Sequence, residues 1–374
     1  MLIHLVCAAR PNFMKVAPLY HQLRKQDWAR PVIVHTGQHY DPNMSDAFFT
    51  DLDLPNPDIY LGIGSGTHAE QTGKVMIAYE KVLLDQRPDL VVVVGDVNST
   101  MAVTIAASKL GIKVAHLEAG LRSFDRTMPE EINRLITDAL ADILWTPSRD
   151  ADENLRREGI PGHKIQRVGN IMIDSLEMLR GKIENQKVYH DFGLKPGGYG
   201  IVTLHRPSNV DNPVVLKRLS GILEEIAEQT ALVFPVHPRT RKKMEENHLL
   251  SAMKKSGKIF LPEPMNYIRF MNLVFHCALV ITDSGGIQEE TSYLGIPCLT
   301  IRENTERPIT ITHGTNRLCG LDEMKRKTVD LLRDKVRKKK EIELWDGHTA
   351  ERIVGALERL HNLLDIPSLR KSIG

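Results

Sequence analysis

The chain has few cysteines, few aromatic residues and no excess of charge of either sign. Its 374 residues include four cysteines, and no two of them have the CxxC spacing of a metal or redox site. We therefore expect free thiols at Cys7, Cys277, Cys298 and Cys319, and neither a disulfide framework nor a zinc site. Lys and Arg number 49 against 47 Asp and Glu, which excludes a basic coat for nucleic acid. A hydrophobic fraction of 42% excludes a disordered chain.

Long hydrophobic runs are also missing. Apolar runs such as Val91–Val94 and Ala278–Ile281 are far shorter than the roughly 18–20 residues that cross a bilayer. The apolar segment Met1–Cys7 is short, lacks a basic leader and is followed directly by Arg10 and Lys15, so it predicts a buried strand and not a signal peptide. We expect a cytoplasmic protein that has no membrane partner.

The sequence does contain a repeated alternation of short apolar runs with helix-period stretches, which is typical of parallel sheets with crossover helices. The first half has strands at Leu2–Ala8, Pro31–His35, Leu90–Gly95, Val114–Leu117 and Ile143–Thr146, with a helix at Asn12–Arg24. The alternation restarts with strands at Gly200–Leu204, Leu232–Val236, Lys258–Leu261, Ala278–Thr282 and Cys298–Ile301. The length suits two domains. We predict an α/β protein of two Rossmann-like, doubly wound domains that face each other across a cleft.

The predicted domains are residues 1–175 and 176–374. The charged segment Arg180–Gly198 is the most linker-like stretch of the chain and supports a boundary nearby. The last helix-period stretch, Ala350–Leu364, could pack on either domain.

The segment Asp283-Ser284-Gly285-Gly286 combines a predicted strand end, two glycines and a helix start. Free backbone N–H groups at such a point can bind a phosphate. The alternative is that Ser284 only caps the helix. Glu290, a turn into that helix, could reach ribose hydroxyls, and the planar guanidinium of Arg307 suits a phosphate.

Two cations, Arg10 and Lys15, follow the first predicted strand and lie at the start of its helix. The helix macrodipole disfavours cations at this end. Their position therefore favours an anionic ligand, with a pair of ordinary surface cations as the alternative.

Three carboxylates of the first half, Asp96, Glu118 and Glu130, lie at strand ends or helix starts. Glu130 opens a helix over residues 129–141, predicted from Pro129 and from apolar residues at helical spacing. Acidic residues are ordinary in a first helical turn, so Glu130 alone indicates a structural role. Three carboxylates at one edge are a stronger signal, because converging carboxylates raise one another's pKa and can divide into acid and base.

Two histidines, His205 and His237, each follow a predicted strand of the second half. They indicate either contact with a diphosphate and proton transfer or ordinary structural histidines. We favour the functional interpretation for His205.

The sequence contains no complete motif for a metal ion or for a common nucleotide cofactor. His35 and His39 leave a strand, have Gly37 between them and lack the Glu of a zinc-protease motif. The segment Leu61–Thr67 lacks the third glycine of a dinucleotide-binding motif. Gly73-Lys74 lacks the upstream glycine and the following Ser or Thr of a Walker motif. We expect no metal, NAD or ATP.

Eight stretches, in order along almost the whole chain, resemble the non-hydrolysing UDP-N-acetylglucosamine 2-epimerases. They are Ala9-Arg10-Pro11 with Lys15, Gly95-Asp96, residues 116–122, residues 129–134, Thr203-Leu204-His205-Arg206, Pro235-Val236-His237-Pro238, residues 282–290, and Thr305-Glu306-Arg307-Pro308. The resemblance implies a GT-B fold, a UDP-sugar in the interdomain cleft, a cytoplasmic homodimer, and neither cofactor nor metal.

The family's reaction inverts C2 of the sugar by eliminating UDP to give 2-acetamidoglucal and adding UDP back with a proton on the opposite face. The resemblance implies acid/base roles for Asp96, Glu118 and Glu130, assisted by His205 at the diphosphate or the leaving oxygen. It implies UDP-sugar contacts for Arg10, Lys15, His205, Arg206, His237, Ser284, Gly285, Gly286 and Arg307. Glu290 would bind the ribose, and Phe270 would lie near the uracil.

The sequence departs from the family pattern in four places: Asn12, Pro207-Ser208, the loop Ser123–Met128, and Gln38-His39-Tyr40, which Asp41 follows. The last segment and the loop contribute where a second UDP-GlcNAc molecule activates family members. We therefore expect such activation to be weak or absent.

Three other functions stay open. The same chemistry could act on a modified sugar such as a 2,3-diacetamido uronic acid. A GT-B glycosyltransferase would share the UDP site, but it would need an acceptor groove and gives no reason for three carboxylates. A catalytically silent UDP-sugar sensor is disfavoured because all three acids are present. For the epimerase, we expect a role in cell-surface polysaccharide biosynthesis.

Overall fold

The computed structural model describes residues 1–37, 49–334 and 341–364. The chain forms two compact units, one from Met1 to Met178 together with the chain from Glu343 onward, and one from Leu179 to Ile342. The sequence-based boundary lies three residues earlier, and it assigns the chain after Glu343 to the second domain.

The first unit is built on one parallel sheet of strand order β3-β2-β1-β4-β5-β6-β7. Its strands are β1 (Leu2–Cys7), β2 (Arg30–His35), β3 (Ile59–Tyr60), β4 (Leu90–Val94), β5 (Val114–Leu117), β6 (Ile143–Thr146) and β7 (Ile165–Arg167). Its helices are α1 (Arg10–Leu23), α2 (His68–Gln86), α3 (Asn98–Lys109), α4 (Pro129–Leu140) and α5 (Arg149–Arg157). Helix α6 (Ile171–Glu184) continues into the second unit, and α15 (Thr349–Leu364) belongs to the first.

The second unit repeats this design with a parallel sheet of order β10-β9-β8-β11-β12-β13. Its strands are β8 (Tyr199–Thr203), β9 (Ala231–Val233), β10 (Ile259–Phe260), β11 (Leu279–Thr282), β12 (Cys298–Thr300) and β13 (Asn316–Leu318). Its helices are α7 (Pro207–Val210), α8 (Pro213–Ala227), α9 (Pro238–Glu246), α10 (Leu249–Lys255), α11 (Tyr267–His276), α12 (Gly285–Leu294), α13 (Ile309–Thr312) and α14 (Leu321–Arg333). The prediction of an α/β protein with two doubly wound sheets is confirmed.

Strand order explains which chain segments meet at the site. In the first unit β1, β4 and β5 are adjacent, and every residue of the all-aliphatic β4 is buried, as a central parallel strand requires. The start of α1, Asp96 and Glu118 therefore follow neighbouring strands at one edge of the sheet. In the second unit β8 and β11 pair in register, which places His205 and Asp283 at the corresponding edge.

The segment Arg180–Gly198, near which the sequence predicts a domain boundary, begins one residue after the division between Met178 and Leu179. Its first residues continue α6 through Glu184, and residues Val188–Phe192 form a 3₁₀ turn. Part of its charge therefore lies on a helix, where Arg180 and Glu184 form an ion pair.

The C-terminal segment packs on the first unit through several specific contacts. The Trp345 indole donates a hydrogen bond to the Pro147 carbonyl at 2.9 Å. The buried Asp174 carboxylate accepts from the backbone N–H groups of Thr349 (3.1 Å) and Ala350 (2.7 Å) at the start of α15. Asp174 thereby satisfies two amide donors that a helix start leaves unpaired.

Helix α4 forms where predicted, but it buries its polar face. Its buried residues are Glu131, Asn133, Arg134, Thr137 and Asp138, whereas Ile132 and Leu140 are 46% and 41% exposed. Apolar spacing thus predicted the helix, while the side of α4 that packs on the unit is set by hydrogen bonds and ion pairs.

No helix in the parts of the chain described above is long and apolar enough to cross a membrane.

The left-handed glycines of the first unit give a test of packing. A Cβ on Gly120 (φ +80°) would lie 2.5 Å from the Ala151 carbonyl oxygen, whereas a Cβ on Gly159 (φ +83°) would meet no atom within 4 Å. Gly120→Ala should destabilise the protein by about 2–4 kcal/mol, and Gly159→Ala by about 1 kcal/mol from backbone strain alone. Thermal and urea unfolding midpoints measure both, and equal losses would contradict the proposed close approach.

Candidate active site

Lys15 and Glu118 form a buried ion pair at the carboxyl edge of the first sheet. The Lys15 ammonium donates to Glu118 Oε2, and the two residues are 9% and 5% exposed. The other carboxylate oxygen, Glu118 Oε1, is buried and has no hydrogen-bond partner among residues 1–37, 49–334 and 341–364. A buried carboxylate oxygen without a partner is costly, so its presence points to a group that a ligand supplies.

Asp96 lies beside this pair because Gly95 brings the backbone close. A Cβ at Gly95 (φ +69°) would lie 3.3 Å from Lys15 Nζ and 3.6 Å from Glu118 Oε2. Only glycine adopts this backbone conformation easily and leaves that room. The Asp96 carboxylate accepts from Arg134 Nε and Nη2 at 3.0 and 2.7 Å.

The third predicted acid, Glu130, is exposed in the first turn of α4. Its neighbour Glu131 is buried and accepts hydrogen bonds from the backbone N–H of Ser123 (3.0 Å) and of Phe124 (2.9 Å). Glu131 also accepts from Arg134 Nη1 at 2.6 Å, so Arg134 bridges Glu131 and Asp96. The structure thus places Asp96 and Glu118 after neighbouring strands, each paired with a cation, and the contacts described here do not include Glu130.

Lys15 therefore has a carboxylate partner at the position where the sequence indicates an anionic ligand. Arg10 begins α1, but its side chain lies outside the described residues. The segment Gln38-His39-Tyr40-Asp41, on which the expectation about activation rests, lies outside them as well.

Asn12, one of the departures from the family pattern, has a structural task at the start of α1. Its side-chain oxygen accepts from the N–H groups of Ala8 (3.1 Å) and Ala9 (3.0 Å), and its amide donates to the Val94 carbonyl at 3.1 Å. The amide caps the start of α1 and joins the ends of β1 and β4, a task that needs a donor and an acceptor in one side chain.

In the second unit, Asp283 anchors the segment after β8. The fully buried carboxylate accepts from the backbone N–H groups of His205 (3.0 Å) and Arg206 (2.9 Å), from Asn209 Nδ2 (3.1 Å) and from His205 Nδ1 (2.9 Å). Burial raises the Asp283 pKa, but these bonds, His205 first, hold it below its ordinary value. Because Nδ1 of His205 faces Asp283, Nε2 is the ring nitrogen left for a ligand.

His237 lies next to His205, with ring centroids 5.8 Å apart. Burial lowers the pKa of His237, and the neighbouring His205 and Arg239 charges lower it further. Its Nδ1 accepts the Arg239 N–H at 3.2 Å and so caps α9. The structure thus gives His237 a structural task and also places it beside the candidate catalytic histidine.

The N-terminus of α12 is open to an anion. Within the part of the chain that the structure describes, no side chain caps this helix, so Ser284 does not play the capping role weighed above. The Ser284 N–H donates to Thr282 Oγ1 at 2.9 Å, and a Cβ at Gly286 would meet nothing within 4 Å. The backbone N–H groups of the first turn therefore adjoin open space, as phosphate binding requires.

Guanidinium groups surround this helix start, but they are already paired. Arg307 contacts Glu289 at 2.9 Å and Glu306 at 2.5 Å, and Arg302 contacts Glu306 at 2.8 Å. Arg206 donates from Nε to the Asp283 carbonyl at 3.0 Å. Three guanidinium groups, those of Arg206, Arg302 and Arg307, face three carboxylates, those of Asp283, Glu289 and Glu306, so these charges balance and Arg307 is held in place by its acidic partners.

Arg307 also explains Gly285. A Cβ there would lie 2.7 Å from Arg307 Nη1 and 2.8 Å from Glu306 Oε1. The two glycines thus have different tasks: Gly285 admits the Arg307–Glu306 pair, and Gly286 leaves the open space.

Glu290 is buried, and Tyr267 donates a hydrogen bond to its Oε1 at 2.7 Å. Burial raises the pKa of Glu290 to about 7, although the Tyr267 bond acts in the opposite direction. Phe270 is half-buried, one turn after Tyr267 on α11. Tyr267 therefore links the helix that carries Phe270 to the residue predicted to bind ribose.

Sequence reasoning missed four residues of these contacts. The sequence included Arg134 and Glu131 in the family-like stretch 129–134, but it indicated no role for either residue. No motif or residue spacing indicated a functional role for Tyr267. Gln288 accepts from Thr305 Oγ1 (2.8 Å) and donates to the Ser284 carbonyl (3.0 Å), which ties the loop before Arg307 to the start of α12.

Among residues 1–37, 49–334 and 341–364, no group of three or more His, Cys, Asp or Glu side chains could hold a metal ion.

The chain is similar to proteins of one family along nearly its whole length. The family model of UDP-N-acetylglucosamine 2-epimerase matches residues 21–358. The UDP-N-acetylglucosamine 2-epimerase of Methanocaldococcus jannaschii is 45% identical over 365 residues, 96% of this chain and 99% of that protein. The UDP-2,3-diacetamido-2,3-dideoxy-D-glucuronate 2-epimerase of Pseudomonas aeruginosa is 41% identical over 86% of this chain and 88% of that protein. A crystal structure of the M. jannaschii enzyme in complex with UDP-GlcNAc and UDP matches with a TM-score of 0.87 at 44% identity, over 96% of this chain and 100% of that one.

The raised pKa of Glu290 predicts a specific pH dependence of stability. Because its pKa is about 7 in the folded protein and 4.5 ordinarily, the folded state binds the proton more tightly, and stability falls as pH rises between these values. The loss is about 3 kcal/mol and is complete above pH 7. Glu290→Gln keeps an acceptor for Tyr267 and removes the charge. Its thermal midpoint relative to wild type should rise between pH 5 and pH 8, and a constant difference would contradict the shifted pKa.

Proposed function

The chain belongs to the UDP-N-acetylglucosamine 2-epimerase family, and we propose that it interconverts UDP-GlcNAc and UDP-ManNAc by inversion at C2 of the sugar. The observation that carries the proposal is the placement of two carboxylates, Asp96 and Glu118, after neighbouring strands, each paired with a cation, with an unpartnered buried oxygen on Glu118. The N-terminus of α12 in the second unit has no side-chain cap, so its first-turn backbone N–H groups supply the donors that a diphosphate needs.

The chemistry needs a base and an acid on opposite faces of the sugar. One carboxylate takes the C2 proton while the C1–O bond breaks, and UDP leaves with the bonding electrons to give 2-acetamidoglucal. UDP then adds back at C1 as C2 receives a proton on the other face. Asp96 and Glu118 follow different strands, so they can approach a sugar from different directions. Glu130, exposed in the first turn of α4, completes the acid/base set of the proposal.

UDP is released from the sugar in the intermediate, and the protein has to retain it. We assign the diphosphate to the N-terminal turn of α12 at Ser284, Gly285 and Gly286, with Arg206 and Arg307 shaping the field. His205 presents Nε2 to the diphosphate or the leaving oxygen, since Asp283 holds Nδ1. Glu290 then binds the ribose and Phe270 packs near the uracil. The proposal requires both units to act on one substrate molecule.

A homodimer and a cytoplasmic location belong to the same proposal. Apolar side chains are exposed on two helices of the first unit: Ile77 and Leu84 on α2, and Ile132 and Leu140 on α4. Exposed apolar groups of this kind favour burial against a second copy. The four free, buried cysteines suit a reducing compartment.

A second candidate substrate follows from the Pseudomonas aeruginosa relative, which is named for a 2,3-diacetamido uronic acid and is 41% identical to this chain. The chemistry at C2 would be unchanged. Substituents at C3 and C6 of the sugar distinguish the two substrates.

The proposed reaction can be tested by proton NMR of the protein with UDP-GlcNAc alone in D2O. We expect UDP-ManNAc that carries deuterium at C2, because the proton taken at C2 exchanges with solvent. Asp96→Asn, Glu118→Gln and Glu130→Gln should keep their affinity for UDP and lose about 100-fold or more in turnover. Glu153→Gln, a half-buried acid on α5 that pairs with Arg149, is the control and should turn over at the wild-type rate.

The outcomes separate the alternatives. Turnover only of UDP-2,3-diacetamido-2,3-dideoxy-glucuronate would replace the substrate and keep the chemistry. Binding of UDP with no turnover of either sugar would contradict the epimerase. Full activity in one of the three variants would remove that residue from the acid/base set.

The role of the α12 turn can be tested at Gly286. In Gly286→Ala the new methyl group occupies the open space beside the first-turn N–H groups, so affinity for UDP should fall about tenfold or more while the fold tolerates the change. Gly221→Ala is the matched control, because that glycine lies inside α8 and its Cβ would also meet nothing within 4 Å. Calorimetric titration with UDP measures both, and equal affinities would refute the assignment.

A further inference from the structure

A buried carboxylate holds both ends of the segment that carries Glu118. Asp138, which is 1% exposed on the inner face of α4, accepts from His116 Nδ1 at 2.6 Å and from the Gly120 backbone N–H at 3.0 Å. These donors lie two residues before and two residues after Glu118. Asp138 also contacts Arg122 Nη2 at 2.7 Å. One side chain therefore determines the path of the backbone through Glu118.

Glu118 needs such support because its backbone is strained. Its φ of +73° lies in the left-handed region, which costs a residue other than glycine about 1–3 kcal/mol. A conformation of this kind persists only where neighbouring contacts enforce it. The hydrogen bonds of Asp138 to His116 and Gly120 are such contacts.

His116 also holds the backbone next to Asp96, the second proposed acid. Its Nε2 lies 2.9 Å from the carbonyl oxygen of Gly95, the residue directly before Asp96. Both ring nitrogens of the fully buried His116 thus face oxygen acceptors, Asp138 on one side and Gly95 on the other. The peptide that precedes Asp96 and the segment around Glu118 are held by one chain of hydrogen bonds.

Burying this carboxylate is costly, since an ionised group loses its hydration. Burial raises the pKa of Asp138, yet His116 and then Arg122 hold it below its ordinary value, so Asp138 is ionised inside the protein. The sheet itself does not require a charge here, because β4 is entirely aliphatic and buried, and His116 is the polar residue of the otherwise apolar β5.

We propose that Asp138 and His116 are positioning residues that hold Glu118 and Asp96 in the geometry for proton transfer at C2. The inference rests on the proposed function. Neither residue touches the substrate; both act through the backbone of the two acids. A displacement of a catalytic group by about 1 Å can cost on the order of 100-fold in rate, so loss of this support should act on turnover.

The test is Asp138→Asn, assayed for epimerisation and for UDP affinity. The amide keeps the volume of the side chain but cannot accept from three donors as a carboxylate does. We expect kcat to fall about 10–100-fold, with KM and the Kd for UDP unchanged, because the nucleotide contacts lie in the second unit. Amide hydrogen exchange of a peptide spanning residues 116–122 should be faster in the variant, which reports the lost support directly.

Asp152→Asn is the matched control for a merely structural effect. Asp152 is also a buried carboxylate of the first unit, and it accepts from Thr146 Oγ1 and from Arg167 Nε at 3.1 Å. This variant should lose stability and keep the wild-type kcat per UDP-binding site.

The outcomes distinguish the inference from the function on which it rests. Wild-type protein without turnover would overturn the proposed function and the positioning role with it. Wild-type turnover together with an unchanged kcat in Asp138→Asn would overturn the positioning role alone. A loss of kcat in Asp152→Asn equal to that in Asp138→Asn would also overturn it, since the effect would then follow from destabilisation.

Discussion

The burial of the polar face of α4 against the carboxyl edge of the first sheet is the constraint on which the acid half of the site depends. Buried charges are tolerated only when each has a partner, so the side chains of this face have to pair with groups of the sheet edge. Arg134 joins Glu131 to Asp96, and Asp138 joins His116 to Gly120. The helix therefore fixes the acids of two strand ends as one unit. Without these pairs, burial of the polar face of α4 would be energetically unfavourable.

The same constraint explains the outer surface of α4. Because hydrogen bonds choose its inner face, Ile132 and Leu140 are left on the outside. A helix of an isolated monomer would normally turn such residues inward. Their exposure is therefore a consequence of how the acids are held, and it gives the first unit an apolar surface. The catalytic arrangement and the proposed association of two copies are thus two results of one choice of helix face.

The class of fold could be predicted from the sequence because it depends on local patterns, namely apolar strands alternating with helices. The edge strands β3, β7 and β13 were missed, although the equally short edge strand β10 was predicted; β7 and β13 each contain a single apolar residue and so lack an apolar run. The carboxyl-edge position of Asp96 and Glu118 could also be predicted, because parallel strands all end at the same side. The sequence could not predict that Glu131 is buried and Glu130 exposed. Neighbouring residues of a helix point in different directions, so which one is buried depends on the face that packs inward. Partners such as Arg134 for Asp96 depend on tertiary contacts 38 residues apart.

The two units use similar positions in opposite ways. Asp96 and Asp283 each follow a central strand, yet Asp96 is one-third exposed and paired with a cation, whereas Asp283 is fully buried under backbone N–H groups. The difference suits the chemistry proposed for each side. An acid that exchanges protons has to reach the substrate, while an anchor has to keep a loop in place. UDP must be held while its bond to the sugar is broken, and then return to the same carbon. In the proposed reaction, backbone N–H groups and paired guanidinium groups hold the anion without moving a proton to it, and the carboxylates of the first unit carry the proton transfer at C2.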